Sequence, residues 1–191
     1  MEALVILITA LLADNLLLTR LFGVESLFTA TQKPSGAALY GGLVTLVTVT
    51  AGTVVLLINN FVLVPLKITF FRTFVSVIVI TLIICVIQLI SSSVLRKLNA
   101  QIESALPLIS GNCVVLGSIL LSIESSLPFG MSLLYLLFAG IGFSIVMLVF
   151  SSIMMKIEVS ELPECIKGVP VILISCALVA MAFSGFFGIS F

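Results

Sequence analysis

The residues of this chain that could take part in chemistry are few, and they lie within or beside long apolar runs. Asp14 and Asn15 interrupt the first such run, and Asn112 and Cys113 lie in a later one. A charged side chain inside lipid costs roughly 2.5–3.5 kcal/mol on insertion scales. Asp14 therefore either faces a cavity or an ion path, or lies at the membrane interface. Cys113 is either a small packing residue or a metal ligand.

The remaining candidates carry weaker signals. Glu25 is either a solvated loop residue or part of a buried site, and Cys85 and Cys176 lie within unbroken apolar runs, which favours packing. Cys165 is assigned no role. The chain contains no histidine, so the commonest general base and metal ligand is missing. No cysteines are spaced as CxxC, which argues against a self-contained zinc site or a disulfide framework. We predict no catalytic residue.

The composition indicates an integral membrane protein. Of the 191 residues 61% are hydrophobic and 8% are charged, and the mean hydropathy is +1.44. Soluble domains are roughly 45–50% apolar and about 25% charged. The formal net charge is zero, which excludes a basic face for nucleic acid. About 20 apolar residues cross a bilayer, so the chain forms a single membrane domain over residues 1–191, with the lipid bilayer as its solvent.

Six apolar segments are continuous rather than alternating, which favours helices over the strands of a membrane barrel. We predict an all-α protein with six transmembrane helices. The predicted segments are Ala3–Leu18, Ala37–Ile58, Ile68–Leu95, Ala105–Ile123, Met131–Met155 and Val169–Ile189.

The basic residues predict an orientation. The first, third and fifth loops carry six lysines and arginines, and the second loop, with the start of the third helix, carries two. The residues are Arg20, Lys33, Arg96, Lys97, Lys156 and Lys167 against Lys67 and Arg72. Because cytoplasmic loops are enriched in positive charge, both termini are predicted to lie outside. Lys67 and Arg72 are near Asn59 and Asn60, where a basic side chain can simply extend to the headgroups.

The two halves of the chain, about 1–98 and 99–191, resemble each other weakly. Leu39-Tyr40 corresponds to Leu134-Tyr135 and Asn15 to Asn112, with both matches separated by about 95 residues. Because each half would have three spans, the second half would enter the membrane from the opposite side. The pattern predicts a 3+3 inverted-topology repeat with its site near the midplane.

The equivalent first helix of each half is predicted to be broken. Asp14-Asn15 interrupts the first segment, and Pro107 and residues 110–113 interrupt the fourth. Irregular backbone at this depth persists only where protein buries it or water reaches it.

Four stretches resemble the family that contains the A-type membrane component of the Rnf ion-translocating electron-transport complex and the E-type component of the sodium-pumping NADH:quinone reductase. Leu106-Pro-Leu-Ile-Ser-Gly-Asn-Cys113-Val-Val-Leu-Gly is the most specific, against Leu-Pro-Leu-Ile-Thr-Thr-Asn-Cys-Ala-Val-Leu-Gly. The other three stretches begin at Asp14, Val62 and Gly142. The order and spacing of the four agree with the family over essentially the whole chain.

The resemblance implies a bacterial inner-membrane subunit of a complex that couples electron transfer to the movement of Na⁺ or H⁺. It implies a homologous membrane subunit in the opposite orientation, other Rnf-type subunits, and a [2Fe–2S] cluster shared between the two homologues. Each homologue would contribute two cysteines. Cys113 matches the second family cysteine, whereas Glu25 occupies the position of the first and Ser26 that of the following proline.

This departure leaves several interpretations open. A carboxylate is a harder ligand than a thiolate and suits an iron–sulfur centre poorly. Either Glu25 supplies an oxygen ligand, or another thiol replaces it, or the cluster is absent. The chain would then be an electron-carrying subunit, a membrane transport or substrate-binding subunit without redox chemistry, or a structural paralogue that has lost the cluster. In the first case it would be a non-autonomous part of an ion-translocating oxidoreductase.

Overall fold

The computed structural model describes residues 16–30, 34–94, 106–125, 127–158, 163 and 168–184, and these residues form helices joined by turns, without a strand among them. In chain order the helices are α1 (Leu16–Arg20), α2 (Val24–Ala30), α3 (Pro34–Ile58), α4 (Arg72–Val94), α5 (Cys113–Glu124), α6 (Phe129–Glu158) and α7 (Val169–Ser184). A π-helical segment, Asn59–Leu63, continues α3, and a 3₁₀ turn, Thr69–Phe71, leads into α4.

Four helical stretches are long and apolar enough to cross a membrane, and they match the second to fifth predicted segments. They are Pro34–Leu63, Thr69–Ile90, Leu106–Glu124 and Phe129–Ile157. A shorter apolar helix, Val169–Phe183, lies where the sixth segment was predicted. The first segment falls largely outside the described residues, as do Asp14, Asn15 and Cys165. The count of six spans and the orientation of the termini therefore stay predictions.

The predicted break in the fourth segment is confirmed. Residues 106–110 are helical, Gly111 forms a turn, and a new helix begins at Cys113. Asn112 between them is extended, with φ −72° and ψ 117°, and its side chain caps α5. Asparagine is a preferred residue at such a position because its side-chain oxygen accepts from a free backbone N–H of the first helical turn.

Helices α3 and α6 form the most extensive contact in the described structure. A Cβ atom on Gly41 would lie 2.7 Å from Ser144 Oγ, and one on Gly140 would lie 2.8 Å from Thr45 Cγ2. The Thr45 and Ser144 hydroxyl oxygens are 3.2 Å apart. Small residues at helix contacts in membranes allow the backbones to approach closely, so the two antiparallel helices are held by reciprocal glycine–hydroxyl contacts.

The register of this contact differs from the predicted repeat. Thr45 and Ser144 lie 99 positions apart, and Gly41 and Gly140 are separated by the same interval. The match of Leu39-Tyr40 with Leu134-Tyr135 has an interval shorter by about one helical turn. That match does not describe how α3 and α6 pack, because apolar helices offer many similar pairs by chance.

Replacing Gly41 with alanine is expected to lower the free energy of unfolding by about 1–3 kcal/mol, the usual cost of overfilling a packed contact. The added methyl group would lie 2.9 Å from the Ser144 Cα atom. Gly42 provides the control, since a Cβ there meets nothing within 4 Å. Thermal unfolding of the two variants in detergent measures the difference. Equal midpoints for Gly41→Ala and Gly42→Ala would contradict the close contact.

Candidate functional site

Glu25 and Cys113 are brought together by a contact between α2 and α5. Glu25 Oε1 accepts a hydrogen bond from the Cys113 backbone N–H at 3.2 Å. That N–H is at the start of α5, where backbone donors have no partner within the helix. Glu25 lies in the first turn of α2, so its interpretation as a loop residue is wrong. A carboxylate is stabilised there by the helix dipole.

A tight turn before α2 fixes the position of Glu25. Gly23 has φ +82°, a left-handed conformation that glycine adopts without steric cost. A Cβ atom on Gly23 would lie 2.6 Å from Val114 Cγ2 and 2.9 Å from Phe143 Cε2. The neighbouring Phe22 ring packs directly on Gly117 of α5. The turn therefore presses against the first two turns of α5 and leaves Glu25 beside Cys113.

Asn112 anchors the same region from the other side and is 2% exposed. Its Oδ1 accepts from Val114 N at 2.9 Å, and its Nδ2 donates to the Tyr40 hydroxyl at 3.0 Å. The Ser26 hydroxyl donates to the Gly23 carbonyl oxygen and contacts Met147 Sδ at 3.8 Å. Asn112 thus links α3 to the start of α5 and sets the direction in which Cys113 leaves the helix break.

Replacing Asn112 with alanine is expected to lower the free energy of unfolding by about 2–4 kcal/mol. The substitution removes a helix cap, worth roughly 0.5–2 kcal/mol, and leaves the buried Tyr40 hydroxyl without its described donor, at about 1–3 kcal/mol. Chemical or thermal unfolding of Asn112→Ala, Tyr40→Phe and the double variant measures the coupling. Strictly additive effects would contradict a direct bond between the two side chains.

The Cys113 thiol lies on the exposed surface of the chain, so its interpretation as a buried packing residue is wrong. Glu25 beside it is also exposed. Two ligand-type side chains on one surface are half of a four-ligand shell, and the described residues contain no group of three such side chains. The pair fits a shared site by position and number. Its donor set departs from the usual Cys₄ shell of a [2Fe–2S] cluster by one oxygen.

The other cysteines divide differently from the prediction. Cys176 on α7 is buried, which agrees with a packing role, whereas Cys85 on α4 is exposed. Asp14 and Asn15, predicted as intramembrane polar residues, lie outside the described residues, so their predicted roles stay predictions.

A family model described as "Rnf-Nqr subunit, membrane protein" matches residues 3–190. The chain belongs to the Rnf-Nqr family of membrane subunits. Its relatives include proteins named as the A-type component of an "Ion-translocating oxidoreductase complex". The one from Sodalis glossinidius is 32% identical over 186 residues, covering 97% of this chain and 96% of the relative. Those from Pectobacterium atrosepticum and Vibrio cholerae are 33% and 31% identical, each covering 98% of this chain and 97% of the relative.

Membership of the Rnf-Nqr family confirms the resemblance drawn from the sequence. Sequence reasoning missed Gly23 and the hydroxyl of Tyr40 as parts of the site. Gly23 is followed within two positions by a carboxylate, and that spacing is the available sequence signal for a tight turn next to a functional residue. Nothing in the sequence pairs Tyr40 with Asn112, because the two are 72 positions apart.

Proposed function

We propose that this chain is the A-type component of an ion-translocating oxidoreductase complex, a membrane subunit that helps to carry electrons across the bilayer while the complex moves Na⁺ or H⁺. The observation that carries this proposal is the exposed Cys113 at the start of α5 with Glu25 held beside it. A pair of ligand-type side chains on the surface has no use within the chain alone, and it suits a site completed by a second subunit.

The second subunit in this proposal is a homologous membrane protein in the opposite orientation, and other Rnf-type subunits complete the complex. Cys113 supplies a thiolate and Glu25 a carboxylate to one side of a shared [2Fe–2S] cluster. When bound, such a cluster supplies a one-electron carrier. Asn112 and Gly23 position these two side chains and touch no electron carrier themselves.

Helix length supports a site inside the membrane. α5 has 12 residues, which gives a length of about 18 Å at 1.5 Å per residue. The hydrocarbon core is about 30 Å thick. With the C-terminal end of α5 near one headgroup layer, Cys113 lies close to the middle of the bilayer. A carrier at that depth divides the crossing into two shorter electron-transfer steps.

An inverted 3+3 repeat with six spans suits this placement, and the reciprocal contact between α3 and α6 supports it. Gly41 contacts Ser144 as Gly140 contacts Thr45, which is the exchange expected from a two-fold axis in the membrane plane. In this arrangement both termini lie outside the bacterial inner membrane, as the distribution of basic loop residues indicates.

A non-redox membrane transport or substrate-binding subunit, or a structural paralogue without the cluster, is the second candidate. The observation that favours it is the carboxylate of Glu25 where the family has a thiol, since iron–sulfur clusters prefer sulfur donors. It predicts a complex that assembles normally without iron in its membrane part.

The experiment is purification of the tagged chain with its native partners, followed by reconstitution into vesicles. The proposal predicts a homologous membrane subunit in the complex and ion uptake that requires a reduced electron donor. Ion or substrate uptake that proceeds without a donor would contradict it and support the second candidate. A chain that purifies without a homologous partner would also contradict it.

A further inference from the structure

A second polar cluster surrounds a cavity of about 240 Å³ at the far end of α5 from Cys113. Its walls come from the end of α3 and the π-helical segment, the start of α4, the end of α5 and the start of α6. The polar residues that line it are Asn59, Asn60, Arg72, Ser122 and Ser132. α5 rises roughly 14 Å between Cys113 and Ser122, so this cavity is separate from the candidate metal centre.

Arg72 places a positive charge in the wall of this cavity. The side chain is half-buried, and its Nε donates to Asn59 Oδ1 at 3.0 Å. The described residues that line the cavity include no carboxylate. A guanidinium has five N–H donors, and the bond to Asn59 uses one of them. The terminal N–H groups therefore require an acceptor, and the cavity beside them is the place where one can bind.

Ser122 points independently to an occupant. It is 1% exposed, and its Oγ is the one buried side-chain oxygen or nitrogen without a hydrogen-bond partner in the part of the chain that the structure describes. A buried hydroxyl without a partner costs about 1–3 kcal/mol. Since Ser122 lines the cavity, an acceptor bound there would remove this cost.

The other polar groups add donors rather than negative charge. Asn59 Nδ2 donates to Asn60 Oδ1 at 3.3 Å, and Ser132 Oγ donates to the Leu127 carbonyl oxygen at a long 3.3 Å. A cation would be repelled by Arg72. The planar fork of arginine suits oxyanions that accept two bonds at once, above all phosphate.

The surroundings indicate which molecule carries the phosphate. The cavity lies where two membrane-spanning stretches end and begin, Pro34–Leu63 and Thr69–Ile90, which is headgroup depth. Phe61 is 76% exposed and Phe70 is 78% exposed on the same connection. We propose that the cavity binds the phosphate group of a phospholipid, with Arg72 and Ser122 as its direct ligands and with the acyl chains along these exposed aromatic side chains.

The test uses the purified complex in a phosphate-free detergent, with native mass spectrometry during titration with phosphatidylglycerol. Arg72→Gln is expected to remove one tightly held lipid per chain and to weaken its binding roughly ten- to a hundredfold, as for loss of a charged hydrogen bond. Lys67→Gln is the matched control, because it removes the same charge from an exposed side chain that does not line the cavity. Its lipid binding is expected to equal that of the wild type.

A second variant and a second probe separate the alternatives. Ser122→Ala is expected to weaken phosphatidylglycerol binding about two- to tenfold. In the other arm, inorganic phosphate replaces the lipid and the unfolding midpoint is measured. An Arg72-dependent shift with inorganic phosphate and no Arg72-dependent lipid would support phosphate recognition from solution and overturn the lipid assignment.

Two results would overturn the proposal entirely. One is identical binding of both probes by Arg72→Gln and Lys67→Gln. The other is a Ser122→Ala complex that is more stable than the wild type with unchanged binding, which is the behaviour of an empty cavity. The second readout keeps the test valid if Arg72→Gln fails to fold.

Discussion

Replacing Cys113 with alanine is expected to lower the rate of electron transfer through the assembled complex by at least about a hundredfold. Loss of an outer partner of a metal ligand typically costs ten- to a hundredfold, and Cys113 is proposed as a direct ligand. The fold is expected to persist, because the hydrogen bond from Cys113 to Glu25 uses the backbone N–H, which alanine retains. Donor-driven ion uptake by vesicles containing the purified complex measures the loss.

Cys85→Ala is the matched control for this experiment. Cys85 is also a free cysteine on the exposed surface of the chain, but it lies on α4 rather than at the helix break. Its substitution is expected to leave electron transfer unchanged. An assembled Cys113→Ala complex with the wild-type rate would show that no electron carrier depends on this thiol.

Replacing Gly23 with alanine is expected to lower the free energy of unfolding by roughly 2–5 kcal/mol. The left-handed backbone costs an L-residue about 1–2 kcal/mol, and overfilling a packed contact adds about 1–3 kcal/mol. The new methyl group would overlap Val114 and Phe143 and would lie 3.2 Å from Asn112 Oδ1. Relief of these contacts moves the turn away from α5, so Glu25 loses its hydrogen bond to Cys113. Unfolding in detergent measures the first effect, and iron content of the complex measures the second.

Gly111→Ala provides the comparison for Gly23→Ala. Gly111 lies in the turn directly before Asn112, yet a Cβ atom there meets nothing within 4 Å. Its substitution is expected to change the free energy of unfolding by less than about 1 kcal/mol. If Gly23→Ala proved as mild as Gly111→Ala, the turn at Phe22-Gly23 would not be packed against α5 as described.

The sequence predicted the elements whose cause is local. Long apolar runs form helices in lipid because the helix satisfies every backbone donor and acceptor within one segment. The second to fifth segments were found accordingly, with ends that differ from the structure by a few residues. The break at Gly111-Asn112 was also predictable, because a glycine followed by a capping asparagine ends one helix and begins the next.

The rest of the site depends on contacts between distant parts of the chain. The bond between Glu25 and the start of α5 joins residues 88 positions apart, and no periodicity encodes it. Glu25 was placed in a loop because its surroundings lack a long apolar run, whereas packing of Phe22 on Gly117 stabilises a short helix there. The exposure of Cys113 was missed for a similar reason, since in lipid an apolar run does not show which face meets a neighbour.

Iron content and low-temperature electron paramagnetic resonance of the purified complex test the central claim most directly, with the wild type compared with Cys113→Ala. The account predicts a reducible [2Fe–2S] signal from the membrane part of the wild-type complex, and its loss in Cys113→Ala with the subunits still assembled. A wild-type complex that contains its homologous partner but shows no iron or signal in its membrane part would contradict the account. The chain would then be a transport or structural subunit on an inherited fold.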